Sequence, residues 1–399
     1  MAKISVADMK LEGKRVLIRC DFNVPLDEKG EITDDTRIQA ALPTINYVLG
    51  KNCSVILISH LGRPKGKIVA AMSLNPVYLE LKKIFSGKAD VLMSDDCVGE
   101  KTAKIASALK PKQILLLENL RFHAEETDND ENFAKELASL ADVFIQEAFG
   151  TVHRAHASTA GIPKYIPSGA GFLLQKEIEY LTKALTDYKK PFLAILGGAK
   201  VSTKIGVIEN LLDKIDSLII GGGMIYTFLK ADHIETGNSL VEEDKLELAR
   251  EIRRKAAAKK VNLLLPCDHV VADKFDSSAN VKDIHDVNIP AGWMGVDIGT
   301  DSISRFVNVI SAARTILWNG PMGIFEIDKF SKGTLRIAQA IAKATEKGAV
   351  SIVGGGDSVS AVKKMGLGDR MSHISTGGGA SLEFLEGKEM PGIAALKDK

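Results

Sequence analysis

At 399 residues the chain is too long for one ordinary core, and domains of ~100–200 residues make two the expected number. Apolar residues at 45% and charged residues at 26% describe a folded globular chain and exclude a disordered or low-complexity one. With 52 Lys plus Arg against 51 Asp plus Glu, no overall field gathers nucleic acid or anionic lipid, so any anion site must be local.

Short apolar runs predict buried strands at Val16 to Cys20, Val55 to Ser59, Ile114 to Leu117 and Val143 to Ile145. Near 170 to 190, GFLLQKEIEYLTKALTDYKKP sets Leu173, Leu174, Ile178, Leu181 and Leu185 on one helical face before Pro191. This segment is the expected border, a helix joining two domains. Further strands are predicted at Phe192 to Leu196, Leu218 to Ile220, Leu263 to Leu265, Thr315 to Trp318 and Val350 to Val353. Between them, Val207, Ile208, Leu211, Leu212 and Ile215 have helical spacing, as do Leu335, Ile337, Ala338, Ile341 and Ala342. Alternating strands and helices imply parallel sheets with helices on both faces.

Cys20, Cys53, Cys97 and Cys267 form no CxxC pair, so neither a zinc site nor a disulfide framework is indicated, and reduced thiols in the cytoplasm are expected. The start, MAKISVADMKLEGKR, has no apolar signal core, and no apolar run reaches the ~18–20 residues that cross a bilayer. The expectation is a soluble chain with no membrane partner.

In open parallel sheets ligands bind outside the carboxyl ends of the strands, and the two halves of this chain end their strands differently. First-half runs close on Asp21 and Asn23, on His60 and Arg63, on Glu118, Asn119 and Arg121, and on Glu147 followed by His153, Arg154 and His156. With Arg37, these guanidinium forks suit a small, multiply charged anion, although any single surface Arg can simply be solvated. Second-half runs close on Gly197 and Gly198, Gly221 to Gly223, Gly354 to Gly356 and Gly377 to Gly379. Open backbone N–H groups at such strand-to-helix turns hold phosphate oxygens, and Lys200 and Lys204 stand just past the first turn. Plain turn geometry is the alternative for any one doublet.

The familiar phosphate fingerprints do not fit. GRPKGKI, Gly62 to Ile68, is one residue short of a Walker loop and ends in Ile, and Gly354, Gly356 and Val359 break GxGxxG at its third glycine. A P-loop enzyme and an ordinary nicotinamide dehydrogenase are therefore disfavoured, and a non-catalytic anion-binding protein on this fold is the third reading. Asp357, beside a glycine turn, is placed to receive Mg²⁺ or to cap a helix, and Glu326 to bind ribose hydroxyls or to face solvent.

RVLIRCDFNVPLD, SHLGRPKG, LLLENLRFH, GTVHRAHAS, LGGAKVSTKI, WNGPMGIFE, VGGGDS and STGGGASLEFLEGKEMPGI run from end to end of the chain. Together they resemble the successive signature segments of the phosphoglycerate kinase family. The resemblance implies two Rossmann-like, doubly wound α/β domains joined by a helix and hinge. The N-terminal one, 1–170, would bind 3-phosphoglycerate or 1,3-bisphosphoglycerate, with the tail from about 380 to 399 folded back on it. Residues 171–190 would be the joining helix, and 191–379 would bind ATP or ADP.

Carried over by motif, Asp21, Asn23, Arg37, His60, Leu61, Gly62, Arg63, Arg121 and Arg154 match the phosphoglycerate positions. Lys204, Gly295, Glu326, Gly354, Gly355, Gly356, Asp357 and Ser358 match the nucleotide positions, with Asp357 associated with Mg²⁺. Lys200 and Arg37 match the residues about the migrating phosphoryl. Ser358 stands where Thr is common, and Val152 where Ala is common. The resemblance further implies a monomer that closes about hinges near 170 to 190 and around Thr376 to Gly379, becoming most compact with both substrates bound.

Overall fold

In the computed structural model, which describes residues 3–399, the chain divides into two compact units: residues up to Glu179 together with Glu389–Lys399, and Tyr180–Lys388. The first unit holds strands β1 (Arg15–Arg19), β2 (Ser54–Ile58), β3 (Asp90–Met93), β4 (Gln113–Leu116), β5 (Val143–Gln146) and β6 (Ser168–Ala170). They form one parallel sheet in the order β3-β4-β2-β1-β5-β6. Val16 and Ile18, Val55 and Leu57, and Ile114 and Leu116 pack with Ile38 and Ile45 of the helix Thr36–Leu49 and with Val77 and Leu81 of the helix Asn75–Ile84. Leu17, Ile56, Leu115 and Phe144, one residue out of phase, pack with Phe133 and Leu137 of the helix Glu131–Ser139. Period-two alternation of wholly apolar strands thus builds a core on each face, as expected of a doubly wound sheet.

The second unit repeats the plan with β7 (Phe192–Leu196), β8 (Ser217–Ile220), β9 (Asn262–Leu264), β13 (Thr315–Asn319), β14 (Val350–Gly354) and β15 (His373–Ile374). Their order is β15-β14-β13-β7-β8-β9, again all parallel. Between β9 and β13 lies an addition that the apolar pattern of the sequence does not announce. There β10 (His269–Ala272), β11 (Val281–Ile284) and β12 (Met294–Ile298) form a small antiparallel sheet, order β11-β10-β12, over Val270, Ala272, Val296 and Phe330.

The segment near 170 to 190 forms the helix Phe172–Thr186, and its start is tied to the end of β5. The Glu147 carboxylate accepts from Thr44 Oγ1 at 2.5 Å and from the backbone N–H groups of Leu173 and Leu174 at 3.2 and 3.4 Å. Those bonds satisfy N–H groups that the helix itself cannot. Burial outweighs them and pushes the Glu147 carboxyl up to about 8. Among the described residues, no helix is long and apolar enough to cross a membrane.

Candidate active site

Past the carboxyl ends of β1, β2 and β4, a network of hydrogen bonds converges on Gly62. Its N–H donates to Asn23 Oδ1 at 2.8 Å, and its carbonyl accepts from Arg121 Nη1 at 2.9 Å. Gly62 has φ +65°, a left-handed conformation that favours glycine. Asn119 fixes the arginine from behind, accepting from Arg121 N at 3.1 Å and donating to the Leu61 and Met72 carbonyls at 2.7 and 2.8 Å. Arg37, in the first turn of its helix, donates to Asp21 Oδ2 at 2.5 Å. Glu118 accepts from Ser73 Oγ and from the N–H groups of Leu74 and Asn119, which makes it a strut rather than a ligand.

Cations outnumber anions around this point. Burial, then Arg19, Arg121, Arg37 and His156, hold the His60 imidazolium well below the ordinary histidine range. His156 is brought down to about 4 by burial and by Arg121, Arg19, Arg154 and His153. Arg121 falls to about 10 through burial and the repulsion of Arg19 and Arg154, and only Glu126 and Asp21 oppose it. Its Nε is buried without a hydrogen-bond partner. A buried guanidinium N–H lacking an acceptor, packed among other cations, gains stability when an anion arrives.

The structure therefore brings together Asp21, Asn23, Arg37, His60, Leu61, Gly62 and Arg121, with Arg154 and His156 coupled to them through charge. Arg154 Nε also donates to His153 Nε2 at 3.1 Å. Arg63 is exposed and forms no ion pair among the described residues. Arg19 is the residue that the sequence motifs did not single out. It ends β1 as RVLIR, is fully buried, and reaches both Ser158 and His60.

In the second unit the glycines serve close backbone approach. At Gly222, φ is +68°, and an added Cβ would lie 2.5 Å from Gly198 N and 2.6 Å from Gly198 O. Backbone meets backbone there and neither has a side chain to swing away. Gly222→Ala is therefore expected to destabilise the fold by about 2–4 kcal/mol in a denaturant titration. A loss below about 0.5 kcal/mol would contradict this packing.

Lys204 and the glycine turn after β14 meet through Asn319, also unforeseen in the sequence. Lys204 Nζ donates to Asn319 Oδ1 at 2.5 Å, while an added Cβ at Gly355, where φ is +88°, would lie 3.0 Å from the same oxygen. Asn319 Nδ2 is buried without a partner. Ser358 is buried and its Oγ accepts from Gly320 N at 2.5 Å, pinning the helix Gly356–Lys364 against the end of β13. Asp357 is exposed in the first turn of that helix and has no hydrogen bond or ion pair among the described residues. Lys364, at the helix's far end, donates to the carbonyls of Phe325 and Glu326, and the Glu326 side chain is exposed. Gly295 lies on β12, where an added Cβ would collide with Tyr226 Oη. Lys200 is exposed, with extended backbone and no ion pair among the described residues.

Burial lowers the Lys204 ammonium to about 8, against the opposing pull of Asp357 and Glu386. A bound polyanion favours the charged form, so polyanion binding takes up a proton where Lys204 is otherwise neutral. Below about pH 7 the lysine is already charged and adds no further pH dependence. Above about pH 8 affinity falls, by up to tenfold per pH unit. Calorimetry of ATP binding in buffers of different ionisation enthalpy is expected to show proton uptake at pH 8.5 that Lys204→Met abolishes.

The family model described as "Phosphoglycerate kinase" matches residues 6–388. The chain is 57% identical to a phosphoglycerate kinase of Gloeothece citriformis, over 100% of this chain and 98% of the relative. It is 56% identical to "Phosphoglycerate kinase 3, cytosolic" of Arabidopsis thaliana, over 99% of each. Among solved structures, phosphoglycerate kinase from Coxiella burnetii superposes with a TM-score of 0.87 at 44% identity, and that from Pyrococcus horikoshii with 0.85 at 30% identity; each match covers 98% of both chains.

Proposed function

The chain belongs to the phosphoglycerate kinase family, and from that premise we propose that its arginine cluster holds the phosphoglycerate and its glycine turns hold the nucleotide. The reaction is the reversible glycolytic transfer of a phosphoryl group between 1,3-bisphosphoglycerate and ADP, giving 3-phosphoglycerate and ATP. The observation that carries the division is the contrast between the two strand-end chemistries. The first unit offers a buried guanidinium with an unbonded N–H among other cations, and the second offers two lysines and the start of the helix Gly356–Lys364.

In this reading Arg37, His60, Arg63, Arg121 and Arg154 bind the phosphate and carboxylate of the phosphoglycerate, and Asp21 and Asn23 set the position of Arg37 and of the 61–63 turn. Lys204 and the N–H groups of 354–358 take nucleotide phosphates, Glu326 the ribose, and Gly295 leaves room beside the base. Kinases of this family use a nucleotide with a metal ion, and the free Asp357 carboxylate beside the glycine turn suits Mg²⁺. Bound there, the ion would neutralise phosphate charge. Both nucleophiles, an ADP phosphate oxygen and a carboxylate, are ionised near neutral pH, so the residues need position groups and stabilise charge rather than remove a proton. Lys200 and Arg37 are assigned to the charge that builds on the migrating phosphoryl.

A monomer, the hinge near 170 to 190 and 376 to 379, and a cytoplasmic setting belong to the same proposal. Curated relatives include both cytosolic and chloroplastic forms, and the four cysteines are free. The test of function is a coupled assay of ATP consumption with 3-phosphoglycerate and Mg²⁺. Turnover that requires all three is expected, and its absence would overturn the reading.

A further inference from the structure

Arg19 is fully buried at the last position of β1, and nothing in the binding of phosphoglycerate by the other arginines needs it there. Its Nε donates to Ser158 Oγ at 3.1 Å, its Nη1 to the Cys20 carbonyl at 2.5 Å, and its Nη2 lies 3.3 Å from His60 Nδ1. Ser158 Oγ in turn donates to Glu126 Oε1 at 2.6 Å, and Glu126 Oε2 accepts from Ser158 N at 2.9 Å. Glu126 and Ser158 are both fully buried. The guanidinium is thus held in place by a buried carboxylate acting through a hydroxyl.

A guanidinium has five N–H donors and no acceptor. The imidazole nitrogen facing Arg19 must therefore accept, and the ring proton is left on the other nitrogen. From this geometry we propose that Arg19 is a positioning residue that keeps His60 neutral, with its proton on Nε2, so that His60 meets the phosphoglycerate as a hydrogen-bond donor of fixed direction. The proposal rests on the assignment of the arginine cluster to phosphoglycerate. The groups around His60 agree with it. Arg19 from β1, Arg37 from its helix, Arg121 from the turn after β4 and His156 from the segment after β5 all oppose a charge on the ring. The carboxylates nearest the cluster act elsewhere, Asp21 on Arg37 and Glu126 on Ser158. The arginines supply the charge, and His60 supplies direction that does not change with pH.

The test has two arms. In the full ¹⁵N-histidine-labelled chain, with His60 assigned by comparison with His60→Gln, long-range ¹H–¹⁵N spectra are expected to show bare Nδ1 and protonated Nε2. That state should persist from pH 8 to 5.5, where an ordinary histidine of pKa ~6.5 becomes charged. A proton on Nδ1, or a ring that titrates normally, would overturn the proposal. In the second arm, Arg19→Met is expected to raise KM for 3-phosphoglycerate about tenfold at pH 8. In the ¹⁵N-labelled Arg19→Met chain the ring should lose its fixed tautomer, with a proton appearing on Nδ1 as well as on Nε2, because no donor then faces Nδ1. Arg19→Lys, still a pure donor, should restore the wild-type tautomer and KM. A KM defect with the His60 tautomer unchanged and unrelieved by lysine would assign Arg19 a merely structural role. If Arg19→Met does not fold, the wild-type spectra alone decide. A spectrum that shows the expected tautomer but ignores added 3-phosphoglycerate would leave the role of Arg19 intact and overturn the placement of the ligand.

Discussion

Lys200→Ala is expected to lower kcat by about a thousandfold, or ~4 kcal/mol of transition-state stabilisation, while folding and the affinity for each ligand stay near wild type. The expectation follows from what Lys200 does not do. Its side chain is exposed and makes no ion pair among the described residues, so removing it breaks nothing that holds the fold. Its backbone is extended at the start of the turn Val201–Thr203, a conformation alanine adopts freely. On the proposed assignment, this charge with no structural partner is the one that meets the migrating phosphoryl. Lys204, four residues on, is the internal contrast. It is buried and bonded to Asn319, so its loss should affect nucleotide binding and the local fold as well as rate. Steady-state kinetics with separate binding titrations would decide, and a kcat within about tenfold of wild type, near 1.4 kcal/mol, would remove Lys200 from the assigned role.

Arg121→Ala is expected to weaken 3-phosphoglycerate binding by a hundredfold or more and to leave ATP binding unchanged. The native guanidinium is buried, spends one N–H on the Gly62 carbonyl, and holds Nε without an acceptor. A ligand oxygen that meets that N–H gains a charge-assisted hydrogen bond where water competes poorly. The alanine variant also strands the Gly62 carbonyl, so a stability loss of about 1–2 kcal/mol should accompany the effect. Arg121→Lys should recover part of the affinity, since it restores the charge but not the planar fork. Calorimetry with each ligand alone gives the answer, and an equal fall in ATP affinity would contradict the assignment.

The strands with continuous apolar runs were legible in the sequence to within a residue or so, because central strands of a parallel sheet are buried on both faces and must be apolar throughout. Phe192–Leu196 has the predicted bounds, and Val16 to Cys20 is displaced by one. Six strands were missed; β10, HVVA and buried throughout, and β12 belong to the small antiparallel sheet, and for the other four that condition is relaxed. β3, β6 and β15 lie at sheet edges, where DVLM begins on an exposed Asp, SGA has no large side chain, and HI is two residues long. The strand β11 is exposed along most of its length and exists through its ladder with β10. Charged and glycine strand endings were legible for a similar reason, since a buried run that stops on Arg or Gly-Gly sets a guanidinium or bare backbone at the end of the sheet. Arg19 and Asn319 were not. Each stands at the end of its own apolar strand, and its partners lie far along the chain, Ser158 and His60 for one and Lys204 for the other. An arginine closing a strand as apolar as RVLIR was the one available signal, because a charge carried to full burial requires partners.

Amide hydrogen exchange on the wild-type chain, with 3-phosphoglycerate alone and then with Mg²⁺ and ATP alone, tests the division of labour most directly. The expected result is two disjoint footprints. The phosphoglycerate should slow exchange around residues 21–23, 60–63, 121 and 154, and the nucleotide around 197–204, 319–320 and 354–358. One footprint common to both ligands, or phosphoglycerate protection centred on the glycine turns of the second unit, would contradict the assignment of one ligand to each strand-end chemistry.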